Sequence, residues 1–274
     1  MRITRLALCV ALLPLAALPN QSHAQPYPNK SVRVIASVLP GDTCDVLVRI
    51  ITFKMGERLG QQFVIDNRAG ANGIVGLQAL MQSPADGYTL AVGAAGPLAV
   101  NPSLYAKLPY DPVKDFVPLT LAISFPYIVA LHPAISARSI KELIATAKTN
   151  SPGLTFASSG TGVTNHLAGE LFKRMAGIEM THVPYKGGGP ALNDLIGGHV
   201  SMMFGTILET MPQVRNGRLR GLAVTSASRV AYAPELPTVI EDGMPGYDVT
   251  GWYAFLAPAG TPNAIVATLN SEMT

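Results

Sequence analysis

Cysteine is nearly absent from this sequence, with two among 274 residues. Cys9 falls in the N-terminal apolar stretch, which leaves Cys44 alone and no intramolecular disulfide to staple the fold. Stability must come from packing, and a chain of this length that is 48% hydrophobic can bury one large core or two smaller ones. Charge is also scarce, at 14% of residues, and the Lys and Arg side chains are scattered along the chain. That excludes the basic footprint of a nucleic-acid binder. Neither HExxH nor CxxC occurs, and His132, His166, His182 and His199 lack metal-ligand spacing, so no metal and no cofactor are expected. No GxSxG elbow marks a hydrolase, and no GxxxxGK[ST] loop marks an ATP site.

What is present begins at the N-terminus. Arg2 and Arg5 precede an apolar stretch from Leu6 to Leu18, and Ser22-His23-Ala24 supplies a small-x-small cleavage site. This reads as a secretory signal peptide over residues 1–24, too short in its apolar part to span a bilayer, and it implies export to the periplasm of a Gram-negative bacterium. Without it, 18 basic residues face 17 acidic ones.

From Val32 onward, short apolar runs alternate with amphipathic stretches. Val32–Val38, Phe63–Ile65 and Tyr88–Val92 read as strands. Ile74–Met81 reads as a helix, as does a segment whose core face would be Val46, Leu47, Ile50, Ile51 and Leu59. An apolar run from Leu119 to Leu131, broken by Pro126, reads as a crossing between two lobes. A second series follows: a helix over 140–147 capped by Ser139, a strand and helix around residues 154–175, and a strand near 180–183. It continues with a helix over 191–196, a strand over 200–204, a helix ending near Asn216, a strand over 219–225, a return crossing over 249–256 and a helix from Pro262. The expected fold is α/β, with one lobe from residues 25–125 and 248–274 and the other from 126–247.

The clearest chemical signal lies in LTFASSGTGVTNHLAG at 154–169, where an apolar run enters a loop of Ser158, Ser159, Gly160, Thr161, Gly162 and Thr164 and then a helix with Leu167, Ala168, Leu171, Phe172 and Met175 on one face. Hydroxyls, glycine N–H groups and a helix N-terminus together suit a carboxylate. At about 1.5–3 kcal/mol per charge-assisted hydrogen bond, three or four such contacts make a micromolar site. Similar turns follow other strands: Pro40-Gly41-Asp42-Thr43-Cys44-Asp45, Gly93-Ala94-Ala95-Gly96 and Tyr185-Lys186-Gly187-Gly188-Gly189. In open α/β sheets such turns gather at the ligand cleft.

Taken in order, PGDTCDVLVRI, DNRAGANGIVG, ADGYTLAVG, NPSLYAKLPYDPVKDF, FASSGTGVTNHLAGELFKRMAG, HVPYKGGGPALNDLIGGHVSMMF, NGRLRGLAVTSASR and LPTVIEDGMPGYDVTGWYAFLAPAGTP resemble the extracytoplasmic receptors of the tripartite tricarboxylate transporter family, often called Bug proteins. The resemblance implies a periplasmic binding protein fold, type II-like, whose two lobes close on a small organic acid for delivery to the membrane subunits of the transporter, and it implies a monomer without catalysis. Carried over residue by residue, the ligand contacts would come from Pro40, Gly41, Thr43 and Asp45 in the first lobe. Ser158, Ser159, Gly160, Thr161, Gly162, Thr164 and His166 would supply those of the second, with Tyr185 and Lys186 at the rim. Asp42, Ala95, Gly96, Gly205 and Thr206 complete the candidate set.

Three departures from the family pattern stand out. Asp42 replaces a glycine and brings negative charge where a carboxylate would approach. Gly205 replaces an acidic residue and is expected to leave room for a bulkier acid. The sequence ends at Thr274, shortly after a helix begins, which suggests a shortened and less stable product. Other readings are a ligand sensor for a two-component system, a chain that no longer folds or binds, and a hydrolase acting through Ser159 or Cys44, which a stoichiometric acyl or thiol label would reveal.

Overall fold

The computed structural model describes residues 27–149 and 153–274; the signal peptide expected at 1–24 lies outside them. In chain order the elements are β1 (Val32–Ala36), α1 (Thr43–Leu59), β2 (Phe63–Asn67), α2 (Ile74–Met81), β3 (Thr89–Ala94), α3 (Asn101–Leu104), β4 (Phe116–Leu131) and α4 (Ile140–Thr149). They continue as β5 (Thr155–Ser158), α5 (Thr164–Ala176), β6 (Thr181–Pro184), α6 (Gly188–Ile196), β7 (Met202–Thr206), α7 (Ile207–Arg215), β8 (Arg220–Val224), β9 (Thr250–Pro258) and α8 (Asn263–Met273). No helix among the described residues is long and apolar enough to cross a membrane.

The strands run β2-β1-β3-β9-β4-β7-β5-β6, with β8 also paired to β4. β1 lies parallel to β2 and β3, and β5 lies parallel to β6 and β7, as strand–helix–strand units require. The apolar run expected to cross between lobes is β4. Its stretch from Phe116 to Pro126 pairs antiparallel with β9, and Tyr127–Leu131 pairs with β7 and β8. β9 is the second crossing strand: Val249 donates to the Thr225 carbonyl in the second half, and residues 253–256 pair with β3 in the first.

Alternation along the strands builds the layers. Val32 and Val34 face α1 and α8 in one buried cluster with Val48, Met55 and Leu269, while Ile35 faces α2 in another with Leu77 and Leu80. In the second half Val129 and Leu131 pack with Phe156, Phe172, Phe204 and Tyr247. Ile128 and Ala130 pack on the opposite face with Leu195, Met203 and Met211. Each half thus covers both faces of its sheet with helices.

Two helices are rotated from their expected faces. α1 buries Cys44, Val48, Thr52 and Met55, leaving Val46 and Ile50 45% and 58% exposed. Apolar residues occur all around α1, so their spacing does not select a face. The turn bonds of Asp45 to Gly41 and Asn67 fix the rotation instead. In α5 the buried residues are Asn165, Ala168, Gly169 and Phe172, whereas Leu171 and Met175 are exposed. A Cβ on Gly169 would strike the Phe156 ring, so α5 presents its hydrogen-only position to the sheet.

Candidate functional site

The halves enclose a cavity of about 500 Å³, floored by Phe125 and Tyr127 of β4 and by Trp252 and Tyr253 of β9. The halves touch on two sides of it. On one, Thr43 at the start of α1 donates its N–H (3.2 Å) and its hydroxyl (2.5 Å) to Glu209 Oε1 in α7, and its Oγ1 lies 3.0 Å from Thr206 Oγ1. On the other, the Asn72 turn and Leu104 meet Gly162. A Cβ built on Gly162 would sit 3.0 Å from Asn72 Nδ2. Asn72 holds a left-handed backbone, φ 50° and ψ 48°, secured by Asn72 Nδ2 donating to Asn101 Oδ1 (2.8 Å) and Asn101 Nδ2 donating to the Asn72 carbonyl (3.1 Å).

Of the residues expected to contact ligand, Asp42, Gly96, Ser159, Gly160, Thr161, Thr164, Tyr185, Lys186 and Thr206 line the cavity. Pro40, Gly41, Thr43, Asp45, Ala95, Ser158, Gly162, His166 and Gly205 stand outside its lining. Asp45 is a brace. It is 2% exposed and accepts from the Gly41 N–H, Asn67 Nδ2 and Arg49 Nε. Burial pushes its carboxyl up, but those three donors together hold it below the usual range. Gly205 is buried in β7, and a side chain there would run into Thr210. The expected room at Gly205 is therefore filled by α7 and adds nothing to the cleft.

The 158–164 loop also differs from expectation in how its N–H groups are used. Ser159 N–H goes to Asn165 Oδ1 (3.3 Å), Gly160 N–H to Ser158 Oγ (3.2 Å) and Gly162 N–H to His166 Nδ1 (3.1 Å). The loop is held by its own side chains. What remains for an anion is the Thr164 and Asn165 N–H groups at the start of α5, since those of His166 and Leu167 already go to the Val163 carbonyl, and the hydroxyls of Ser159, Thr161 and Thr164. Tyr127 hydrogen-bonds Thr164, and burial first, then the Asp42 and Glu209 charges, push its phenol far up, so it stays a neutral donor.

Behind the loop lie two imidazoles. The His166 and His182 rings are 4.0 Å apart, and Ser158 Oγ is 2.6 Å from His182 Nε2. Ser158 is fully buried away from the cavity, so this pair braces the loop and does not present a nucleophile to the cleft. Cys44 is likewise kept as a thiol, its pKa pushed up by burial and then by Asp42 and Asp45. Burial lowers His166, and burial followed by the neighbouring His166 lowers His182 to about 4. Both folded values lie below the ordinary 6.5, so the unfolded chain takes up protons first as pH falls. Stability is therefore expected to be complete above pH ~6.5 and to decline through pH ~4. The urea midpoint should drop between pH 7.5 and 5, and His182→Gln should flatten that dependence; a midpoint that does not move would refute it.

Glu209, Asn72, Phe125, Tyr127, Trp252 and Tyr253 also line the cavity, and sequence reasoning did not select them. Phe125 and Tyr127 had a signal in flanking Pro126 in the crossing run, and Trp252 and Tyr253 in lying on the return crossing. Glu209 sits inside a helix with no local mark.

Comparison with known proteins gives a consistent picture. The family described as the tripartite tricarboxylate transporter family receptor matches residues 47–274. A Pseudomonas sp. (strain P51) protein from the tcbD-tcbE intergenic region is 37% identical over 268 residues, covering 96% of this chain and 80% of its own length. Among solved structures, R. palustris Rpa4515 with adipate superposes with a TM-score of 0.87 at 38% identity, covering 90% of this chain and 83% of that one. MatC from Rhodopseudomonas palustris with bound malate has a TM-score of 0.84 at 32% identity, covering 90% and 84%.

Proposed function

The chain belongs to the tripartite tricarboxylate transporter receptor family, and from that premise we propose that it is a periplasmic receptor that captures a small organic acid and presents it to the membrane subunits of a transporter. The observation that carries this reading is the cavity. It lies between two halves joined by β4 and β9 and is touched by the N-terminal turn of α5, with hydroxyl and phenol donors beside it. A carboxylate seated at α5 would accept from that turn, from Ser159, Thr161 and Thr164, and from Tyr127. Such donors hold an anion without a cationic clamp, and release needs only the parting of the halves. Residues 25–125 and 248–274 would move as one lobe against 126–247, with Thr43 and Glu209 meeting on closure. Relatives solved with adipate and malate support a short aliphatic acid as ligand.

Trp252 is the chain's single tryptophan and lines the cavity, which makes it a reporter. Titrating the protein with four- to six-carbon acids is expected to change Trp252 emission. At a concentration near 100 times the dissociation constant, binding should add ~2.7 kcal/mol of stability and raise the melting temperature. A cooperative melt that no acid in the panel shifts, with constant emission, would overturn the proposal.

A further inference from the structure

Resting on that reading, we infer that the preferred ligand has unlike ends, a carboxylate held at α5 and an ammonium held between Asp42 and Glu209, which is the class of the ω-amino monocarboxylates. Among the other helix N-termini that meet the cleft, those of α1 and α6 are already occupied by the chain's own carboxylates. Asp42 Oδ1 caps α1 through the Cys44 N–H (3.0 Å), and Asp42 also accepts from Gly188 at the start of α6. Glu209 Oε1 takes the Thr43 N–H and hydroxyl, while Oε2 lies against Gly188, only 2.6 Å from where a Cβ on that residue would stand. A ligand carboxylate arriving there finds these donors spent and two acids facing it.

Charge elsewhere in the cavity points the same way. Its lining includes those two acids and one cation, Lys186, which is exposed at the rim and forms no ion pair among the described residues. Lys186 belongs to the turn that hydrogen-bonds the 158–160 loop, with Tyr185 N–H on the Ser158 carbonyl and Gly187 N–H on the Ser159 carbonyl. The positive features thus gather at the α5 loop. Burial, and then the Glu209 and Asp45 charges against two backbone donors, raise the Asp42 pKa, the mark of a place that resists further negative charge and that an incoming ammonium would relieve. Tyr127 bridges the two regions, bonded to Thr164 and within reach of the Asp42 and Glu209 charges, so the spacer between the ligand's two ends would run along its ring. The aromatic floor of Tyr127, Trp252 and Tyr253 suits the methylenes and favours a cation over an anion.

The test is calorimetric titration of the full chain with pairs matched in length: succinate and 4-aminobutanoate, glutarate and 5-aminopentanoate, adipate and 6-aminohexanoate. At the length that binds best, the amino acid is expected to bind at least tenfold tighter than the diacid. Asp42→Asn and Glu209→Gln should each shrink that preference tenfold or reverse it, with melting curves confirming that both variants fold. A diacid that binds as tightly as its amino partner, or a preference unchanged in both variants, would overturn the inference while leaving the organic-acid reading intact. If no compound of either kind binds, the organic-acid reading itself fails, and this inference with it.

Discussion

Gly162→Ala is expected to weaken ligand binding by at least tenfold. Gly162 has φ +82°, where a side chain costs about 1–2 kcal/mol, and that strain acts with or without ligand. The larger effect comes from across the cavity. A Cβ at this position would press on Leu104 Cδ2 at 2.5 Å and on Asn72 Nδ2 at 3.0 Å, both from the opposite half. Asn72 cannot retreat easily, since its turn is tied to fully buried Asn101 by two hydrogen bonds. The methyl group therefore opposes the approach of the halves, and calorimetry should show the loss in affinity with only a modest fall in ligand-free melting temperature. Adding Leu104→Ala should restore part of the affinity by making room. Undiminished binding by Gly162→Ala would mean that the contact is not needed for ligand capture.

Tyr247→Ala should cost about 3–5 kcal/mol of stability, among the largest effects of any single truncation in the second half. Tyr247 is fully buried, packs edge-on to Phe172 at 5.9 Å between ring centroids, and donates its hydroxyl to the Ala168 carbonyl at 2.9 Å. Between the end of β8 and the start of β9 the chain has no helix or strand, a length of irregular backbone that small domains rarely tolerate without anchors. Tyr247 is one such anchor, tying this segment to α5 and hence to the loop beside the cavity. Urea denaturation measures the effect. Tyr247→Phe should lose only ~1 kcal/mol, since it keeps the ring and drops the hydroxyl bond. An alanine variant within 1 kcal/mol of the unaltered protein would show the anchor to be idle.

The sequence made legible whatever depends on neighbours along the chain. The alternation of apolar runs and turns located the strands and the longer helices, α2 to the residue, while the Pro- and Tyr-rich stretch from Asn101 to Pro118, which reads as a surface loop, holds α3 and the start of β4. The long run broken by Pro126 marked the crossing strand, and the Ser/Gly/Thr turn after β5 marked one wall of the cavity. Features set by distant contacts were not legible. The rotation of α1 depends on Asn67, which reaches Asp45 from β2. The fate of the loop N–H groups depends on how Asn165 and His166 fold back over them. Glu209 is an ordinary helical glutamate until β7 and α7 carry it to Thr43, and Gly205 looks like an opening only while Thr210 is out of view. Even the aromatic floor is built from two strands separated by more than a hundred residues.

The position of β9 has a consequence for the order in which this molecule forms. β9 lies between β3 and β4 and hydrogen-bonds to both, yet it is the last strand among the described residues. The α/β unit built on β5, β6 and β7 can pair its strands without β9, because its pairings reach no further than β4 and β8. The unit built on β1, β2 and β3 cannot join it until the strand that bridges them is made. Until residues 250–258 arrive, β3 and β4 each carry an unsatisfied edge, the condition that invites pairing with a neighbouring chain. Such long-range closure is slow by its topology. The ligand cavity, floored by this strand, therefore cannot be complete before residues 250–258 are in place.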